Sequence, residues 1–172
     1  MGEDKGLLNY QGKQMIEYII DIFRKNSVDF IISSNNPEYN KFGVEIQADI
    51  IPGIGPIGGI YSSMKLHKAD SYFFVSCDLP HSSGILCKEM VEYTGKFEIL
   101  VPELPDGKVQ PLFAIYSNSV LPKIESQIKT GNYKMMDLLK LAETKKLRVS
   151  KSILLAENEL FKNVNSKRDV KE

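Results

Sequence analysis

The sequence predicts an α/β domain, a doubly wound and mostly parallel sheet with helices on both faces. Two observations carry that expectation. Segments readable as strands alternate with segments of helical spacing, and the strand "YFFVSCD" (72–78) is a nearly continuous apolar run. Strands of that kind are buried on both faces, the pattern of parallel sheets covered by helices. No repeat, low-complexity tract or linker divides the 172 residues, so residues 1–172 are expected to form a single domain. A chain of that length buries roughly 70% of its unfolded surface.

The elements follow in order. "MGEDKGLLNYQGKQMIEYIIDIF" opens on a charged turn, Gly2 to Gly6, which feeds a helix over 14–25. Met15, Ile16, Ile19, Ile20, Ile22 and Phe23 recur there at helical spacing, with Glu17, Asp21 and Arg24 on the other face. "VDFIISS" (28–34) reads as a buried strand and "VEIQAD" (44–49) as an alternating second one. "IIPGIGPIGGIYSSMKLHK" is a glycine-rich bend leading into a helix near 57–67. After the 72–78 strand, a helix is expected at 83–94 and strands near 97–102 and 109–116. "NSVLPKIESQIKTG" and "YKMMDLLKLAETKK" read as two more helices, followed by a strand near 147–155. Ser166 and Asp169 form a capping box for a short terminal helix.

Composition excludes several classes. Lys plus Arg equals Asp plus Glu at 22 each, so no overall field recruits nucleic acid or anionic lipid. No apolar run approaches the ~18 residues of a membrane span, and the polar, acidic start is unlike a secretory signal. Cys77 and Cys87 make no disulfide framework, which points to the reducing cytoplasm. His67 and His81 stand apart from any cysteine or histidine cluster, which argues against a structural zinc site.

In doubly wound sheets, ligands bind beyond the carboxyl ends of the strands. Asp78 ends "YFFVSC", where an acid can coordinate a hard cation such as Mg²⁺ or simply cap the next turn. Asp49 ends another strand, and "PGIGPIGG" follows it. Gly53, Gly55, Gly58 and Gly59 let backbone bend tightly or approach a flat ligand, and Pro56 restricts the residue before it. A purely structural turn explains the same glycines. Lys5 suits phosphate oxygens as a compact charge, although most lysines are simply solvated. Asn163 and Asn165, at i and i+2, can project to one side of extended backbone or serve only the turn before the terminal helix. No G-x-S-x-G elbow, H-E-x-x-H motif or phosphate-loop signature is present.

The order of these pieces resembles one family, the molybdenum cofactor guanylyltransferases, within the larger group of glycine-loop nucleotidyltransferases of Rossmann-like fold. "MGEDKGLL…GKQMIEYIID" looks like the end of the family's N-terminal signature and its first helix. "PGIGPIGGI" is similar to its P-G-x-G-P-L-x-G-I segment, the most specific match. "VSCDLP" resembles its metal-binding strand end, "VQPLFAIY" its H/Q-P-L-F-A-L strand, and "FKNVNSKRDV" its closing F-x-N-x-N-T-P-E-D motif.

The resemblance implies transfer of GMP from GTP to the phosphate of molybdopterin, giving the guanine dinucleotide cofactor and pyrophosphate with Mg²⁺ as cofactor. It implies that Lys5 contacts nucleotide phosphate and that Asp78 holds Mg²⁺. Asp49, Gly55, Pro56 and Gly59 would shape the guanine and ribose pocket, and Asn163 and Asn165 would lie on the pterin side. The family often has a guanine-contacting asparagine where this chain has Ser33, so Asn35 is the residue expected to compensate. Transient contact with cofactor-synthesis proteins or molybdoenzymes is implied too. Such chemistry asks a protein mainly for positioning and charge neutralisation, which suits a chain without a nucleophile arrangement.

Two alternatives remain open on the same residues. Ser33 keeps a cytidylyltransferase or related nucleotidyltransferase in play, and a non-catalytic nucleotide- or cofactor-binding relative is the other. The family carries a strand and an L-A-G-G-x-S-x-R sequence directly before this Met-Gly. The native chain is therefore expected to begin upstream. A missing central strand with about five apolar side chains would forfeit roughly 7–15 kcal/mol of burial.

Overall fold

In the computed structural model the described residues are 4–79, 84–150 and 153. The chain divides into two compact units, each assembled from separate stretches. Met1–Asp29, Val75–Glu89 and Val149–Glu172 form the first, Phe30–Phe74 and Met90–Arg148 the second.

The first unit begins with a 3₁₀ turn, Lys5–Leu7, capped by Asp4, whose carboxylate accepts from the Gly6 N–H at 3.1 Å. A small hairpin follows that hydrophobic periodicity does not announce. Strands β1 (Asn9–Tyr10) and β2 (Lys13–Gln14) pair antiparallel across Gln11 and Gly12, at φ 45° and 87°. A two-residue hairpin turn favours left-handed backbone, which glycine adopts without steric cost. Helix α1 (Met15–Lys25) starts at once, as its apolar spacing predicts. The Gln14 N–H donates to Glu17 Oε2 at 2.7 Å, and Gln14 Nε2 donates to the Leu7 carbonyl at 2.9 Å. Tyr18 donates its hydroxyl to the Tyr10 carbonyl at 2.8 Å. Turn, hairpin and helix are thereby tied together around the buried Met15 and Tyr10.

In the second unit, β3 (Ile32–Ser33) and β4 (Ile46–Gln47) run parallel, Ile32 opposite Ile46 and Ser33 opposite Gln47. Both are shorter than the apolar runs 28–34 and 44–49 suggest. The Ser34 N–H still reaches the Gln47 carbonyl at 3.0 Å, but side chains of Asn35 and Asp49 then take over from the ladder. Helix α2 (Pro56–Leu66) follows the glycine bend, with Pro56 at its first position, where the ring's fixed φ fits. Strand β5 (Ser71–Val75) stops before Asp78; α3 (Gly84–Val91), which belongs to the first unit up to Glu89, is shorter than the expected 83–94.

Strands β6 (Ile99–Glu103) and β7 (Phe113–Ser117), helices α4 (Leu121–Lys129) and α5 (Met135–Leu141), and strand β8 (Thr144–Arg148) complete the described elements. The sheet order is β5-β7-β6-β8, with β6 antiparallel to β7 and parallel to β8, so the α/β sheet is mixed. The last strand comes earlier than the expected 147–155, and the helix before it ends well short of Lys146. The backbone turns extended at Ala142, and the Thr144 hydroxyl donates to the Leu139 carbonyl at 2.8 Å. Lys146 and Arg148 then point at Glu103 on β6, at 3.0 and 3.6 Å, which gives this charged strand partners across the ladder.

One face of β6 and β7 presents Ile99, Val101, Ala114 and Tyr116 to Ile57 and Ile60 of α2, Ile124 of α4 and Leu138 of α5. The alternate residues Leu100, Phe113 and Ile115 are buried too, so the sheet is covered on both faces. That is the burial the apolar strands imply. No described helix is long and apolar enough to cross a membrane.

Glu98, just before β6, holds the parallel β6–β8 pair at its start. Its carboxylate accepts from the Lys123 ammonium and, at 2.7 Å, from the Glu143 N–H. The Lys123 hydrogen bond, then that of Glu143, holds its pKa below the ordinary 4.5. A carboxylate lowered on folding stabilises above its unfolded pKa, and that stability is lost as pH falls through the folded value. Glu98→Gln is therefore expected to cost about 1 kcal/mol at neutral pH, discounted for the half-exposed lysine. Urea melts at pH 7 and below pH 4 check it: the gap between wild type and variant should close in acid.

Candidate active site

The first unit brings Lys5 and Asp78 together. Lys5 Nζ lies 3.6 Å from Asp78 Oδ2, and the Ser76 hydroxyl donates to Asp78 Oδ1 at 2.6 Å. Lys5 owes its place to the capped 3₁₀ turn and to the Gln14 bond on Leu7, which fix the backbone on either side of it. Asp78 sits in the turn after β5, its side chain only 19% exposed. Ser76 carries no signal in the sequence, since a serine two residues before an acid is common anywhere. Its hydroxyl nevertheless fixes one carboxylate oxygen and leaves the other facing the ammonium.

Cys77, between them, is no nucleophile. Burial, then the Asp78 and Asp4 carboxylates, push its thiol up to about 12, so it stays protonated at neutral pH.

Among the described residues no group of three or more His, Cys, Asp or Glu side chains could hold a metal ion. A hard carboxylate such as that of Asp78 suits Mg²⁺, which keeps waters and is completed by substrate phosphates, better than it suits zinc. Asp78 thus fits the cation that the resemblance implies.

The second unit brings Ser33, Asn35, Asp49 and Gly59 together. Asn35 Nδ2 donates to Asp49 Oδ2 at 3.0 Å, and Asn35 Oδ1 accepts from the Asp49 N–H at 2.9 Å. A Cβ on Gly59 would lie 2.8 Å from Ser33 Oγ and 3.6 Å from Asp49 Oδ1, so only glycine lets these groups close over the helix. Gly55, just before α2, has φ 74° and ψ −160°, a region that side chains with a Cβ almost never enter. It turns the chain into Pro56 and the helix.

Ser62, unforeseen in the sequence, anchors the other end of the bend. Its buried hydroxyl donates to the Gly58 carbonyl at 2.7 Å and accepts from the Ile50 N–H at 2.8 Å. The residue after Asp49 is thus pinned to α2. Asn163 and Asn165, with His81 and the terminal capping box, lie outside the described residues.

The fold is one shared with solved nucleotidyltransferases. Molybdopterin-guanine dinucleotide biosynthesis protein A from Archaeoglobus fulgidus superposes with a TM-score of 0.81 at 21% identity, over 99% of this chain and 88% of that one. The 2-C-methyl-D-erythritol 4-phosphate cytidylyltransferase of Thermus thermophilus superposes with a TM-score of 0.69 at 12% identity, over 96% and 90%. At such identities the likeness defines architecture alone.

Sequence carries the assignment further: the chain belongs to the MobA-like NTP transferase domain family, whose model matches residues 1–148. A Flavobacterium johnsoniae protein named "Probable molybdenum cofactor guanylyltransferase" is 31% identical over 166 residues, 96% of this chain and 85% of its own length. A Clostridium perfringens protein of the same name is 34% identical over 137 residues, 77% of this chain and 67% of its own.

Proposed function

We propose that this chain transfers GMP from GTP to the phosphate of molybdopterin in the cytoplasm, with Mg²⁺, yielding the guanine dinucleotide form of the cofactor and pyrophosphate. An oxygen of the molybdopterin phosphate attacks the α-phosphorus of GTP. The bond to the β-phosphate bridging oxygen breaks, and pyrophosphate leaves with the charge. The observation that supports this best is the meeting of Lys5 and Asp78 at 3.6 Å, an ammonium suited to phosphate beside a carboxylate suited to a hard cation. The family membership and the names of its relatives support the substrate class proposed.

In the resting site Lys5 neutralises Asp78. Asp78 would hold the metal, with Ser76 fixing its second oxygen, and Lys5 would then turn its charge to nucleotide phosphate. Bound Mg²⁺ supplies charge stabilisation on the phosphate oxygens and the departing pyrophosphate. Asp49 and Ser33 would face the base beside the bare Gly59, and Asn163 and Asn165 are assigned to the pterin by family likeness. No protein nucleophile enters, which fits a Cys77 held as the thiol.

Incubation with Mg²⁺, molybdopterin and one nucleoside triphosphate at a time tests the reaction by released pyrophosphate. GTP is expected to support turnover and CTP to give at most about one-tenth of it, the tenfold ratio that ~1.4 kcal/mol of base discrimination produces. Preference for CTP would replace guanylyl by cytidylyl transfer. Silence with every nucleotide would leave a binding protein.

A further inference from the structure

We propose that Asn35 is a positioning residue, which sets the Asp49 carboxylate at the angle that reads the donor edge of guanine; the inference rests on the guanylyl-transfer reading above. One amide grips one residue at two points. Its oxygen accepts from the Asp49 main-chain N–H at 2.9 Å, and its nitrogen donates to Asp49 Oδ2 at 3.0 Å. The first bond fixes the backbone of Asp49, the second its side-chain rotation. Without that grip, a half-exposed aspartate would sample several rotamers.

The gripped carboxylate has a defined outlook. Asp49 Oδ1 takes no part in the pair with Asn35 and lies toward Gly59, 3.6 Å from where a Cβ would stand. Ser33 Oγ lies 2.8 Å from that same point. A carboxylate oxygen and a hydroxyl therefore flank a backbone stripped of side chain. On the far side, Ser62 pins Ile50 to α2, so the Asp49 main chain is held from both directions.

The chemistry that such a carboxylate selects is specific. Guanine presents N1–H and its exocyclic amino group side by side, two donors that one carboxylate can accept together. Cytosine presents one amino donor next to a ring-nitrogen acceptor, which a carboxylate repels. Discrimination needs the carboxylate plane to be set before the base arrives, because ordering it on binding costs affinity. Asn35 supplies that order. Its amide is engaged by Asp49, so it acts on the base through the aspartate and does not stand in directly for the asparagine that Ser33 replaces.

Calorimetric titration of the whole chain with GTP, ITP and CTP tests this, using wild type, Asn35→Ala, Asn35→Asp, Asp49→Asn and the Asn35→Ala/Asp49→Asn pair. ITP lacks the exocyclic amino group. Loss of one charge-assisted hydrogen bond should weaken GTP about tenfold in Asn35→Ala, with ITP affected less, so the GTP-over-ITP preference collapses. Asn35→Asp keeps an acceptor for the Asp49 N–H but sets two carboxylates against each other. It should be at least as impaired as the alanine variant.

The paired variant should bind GTP within about twofold of Asp49→Asn, since a residue acting through another adds nothing once that one is gone. Recovery in Asn35→Asp would reduce Asn35 to a loop-forming residue and overturn the proposal, as would additive losses in the paired variant. A wild type that prefers CTP would sink guanylyl transfer, and the same cycle read with CTP would still decide whether Asn35 works through Asp49. Failure to bind any nucleotide would overturn both. Both side chains are on the surface, so thermal melts of all variants should stay close to wild type.

Discussion

Asp78→Ala is expected to lower pyrophosphate release from GTP and molybdopterin by about a thousandfold or more, while the protein melts within ~1 kcal/mol of wild type. The first half follows from the metal role proposed for Asp78, in which its carboxylate and the substrate's oxygens would hold the cation. The second half follows from its surroundings. The Lys5 partner is 39% exposed and stands 3.6 Å away, a partly solvated pair whose loss costs little. The Ser76 hydroxyl loses an acceptor in a half-buried turn and can find solvent. Residual turnover in the variant should no longer rise with Mg²⁺ concentration, a signature that general damage to the fold would not produce. Full activity in Asp78→Ala would remove this residue from the metal and end the mechanism proposed above.

What the sequence discloses, and what it withholds, divides along physical lines. Helix α1 is legible because Met15, Ile19 and Ile20 fall on one face and are buried there. Helix α2 is legible because Gly55 and Pro56 punctuate its start. Strand β8 is misplaced from sequence because "TKKLR" carries charges and follows a strongly helical run. Only the ladder to β6 and the ion pairs to Glu103 explain why it is extended. The first hairpin hides for a related reason: two-residue strands have no periodicity to detect, and only the Gln-Gly turn marks them.

The site divides in the same way. Lys5, Asp49, Asp78 and the glycines are picked out by residue type at strand and turn ends. Their partnerships are tertiary, so sequence contains neither the Ser76 bond on Asp78 nor the Ser62 anchor on Ile50. Serines are too frequent to signal themselves. Asn35 is singled out only through the family resemblance, and its bond to Asp49 joins residues that only the β3–β4 pairing brings side by side.

The largest stability loss is expected at Tyr116→Ala, on β7. Tyr116 is fully buried among Ile57 and Ile60 of α2, Ile124 of α4 and Leu138 of α5. Its ring meets Phe74 edge-on at 5.6 Å, and its hydroxyl donates to the Pro111 carbonyl at 2.8 Å. Burial also pushes its phenol above the ordinary tyrosine range, so no charged form competes with that bond near neutrality. Truncation to alanine removes a whole ring from between sheet and helices, at a cost of about 3–5 kcal/mol. Against a typical net stability of roughly 5–15 kcal/mol, that is a large share. With a urea slope of about 2 kcal/mol/M, the midpoint should fall by roughly 2 M. Tyr116→Phe keeps the ring and loses only the hydroxyl, so it should cost about 1–2 kcal/mol. The contrast decides the cause: equal losses in the two variants would mean the Pro111 bond, not packing, holds β7 in place. Because α2 both packs on Tyr116 and carries Gly59, nucleotide selectivity should survive in Tyr116→Phe and fade in Tyr116→Ala only as the fold itself is lost.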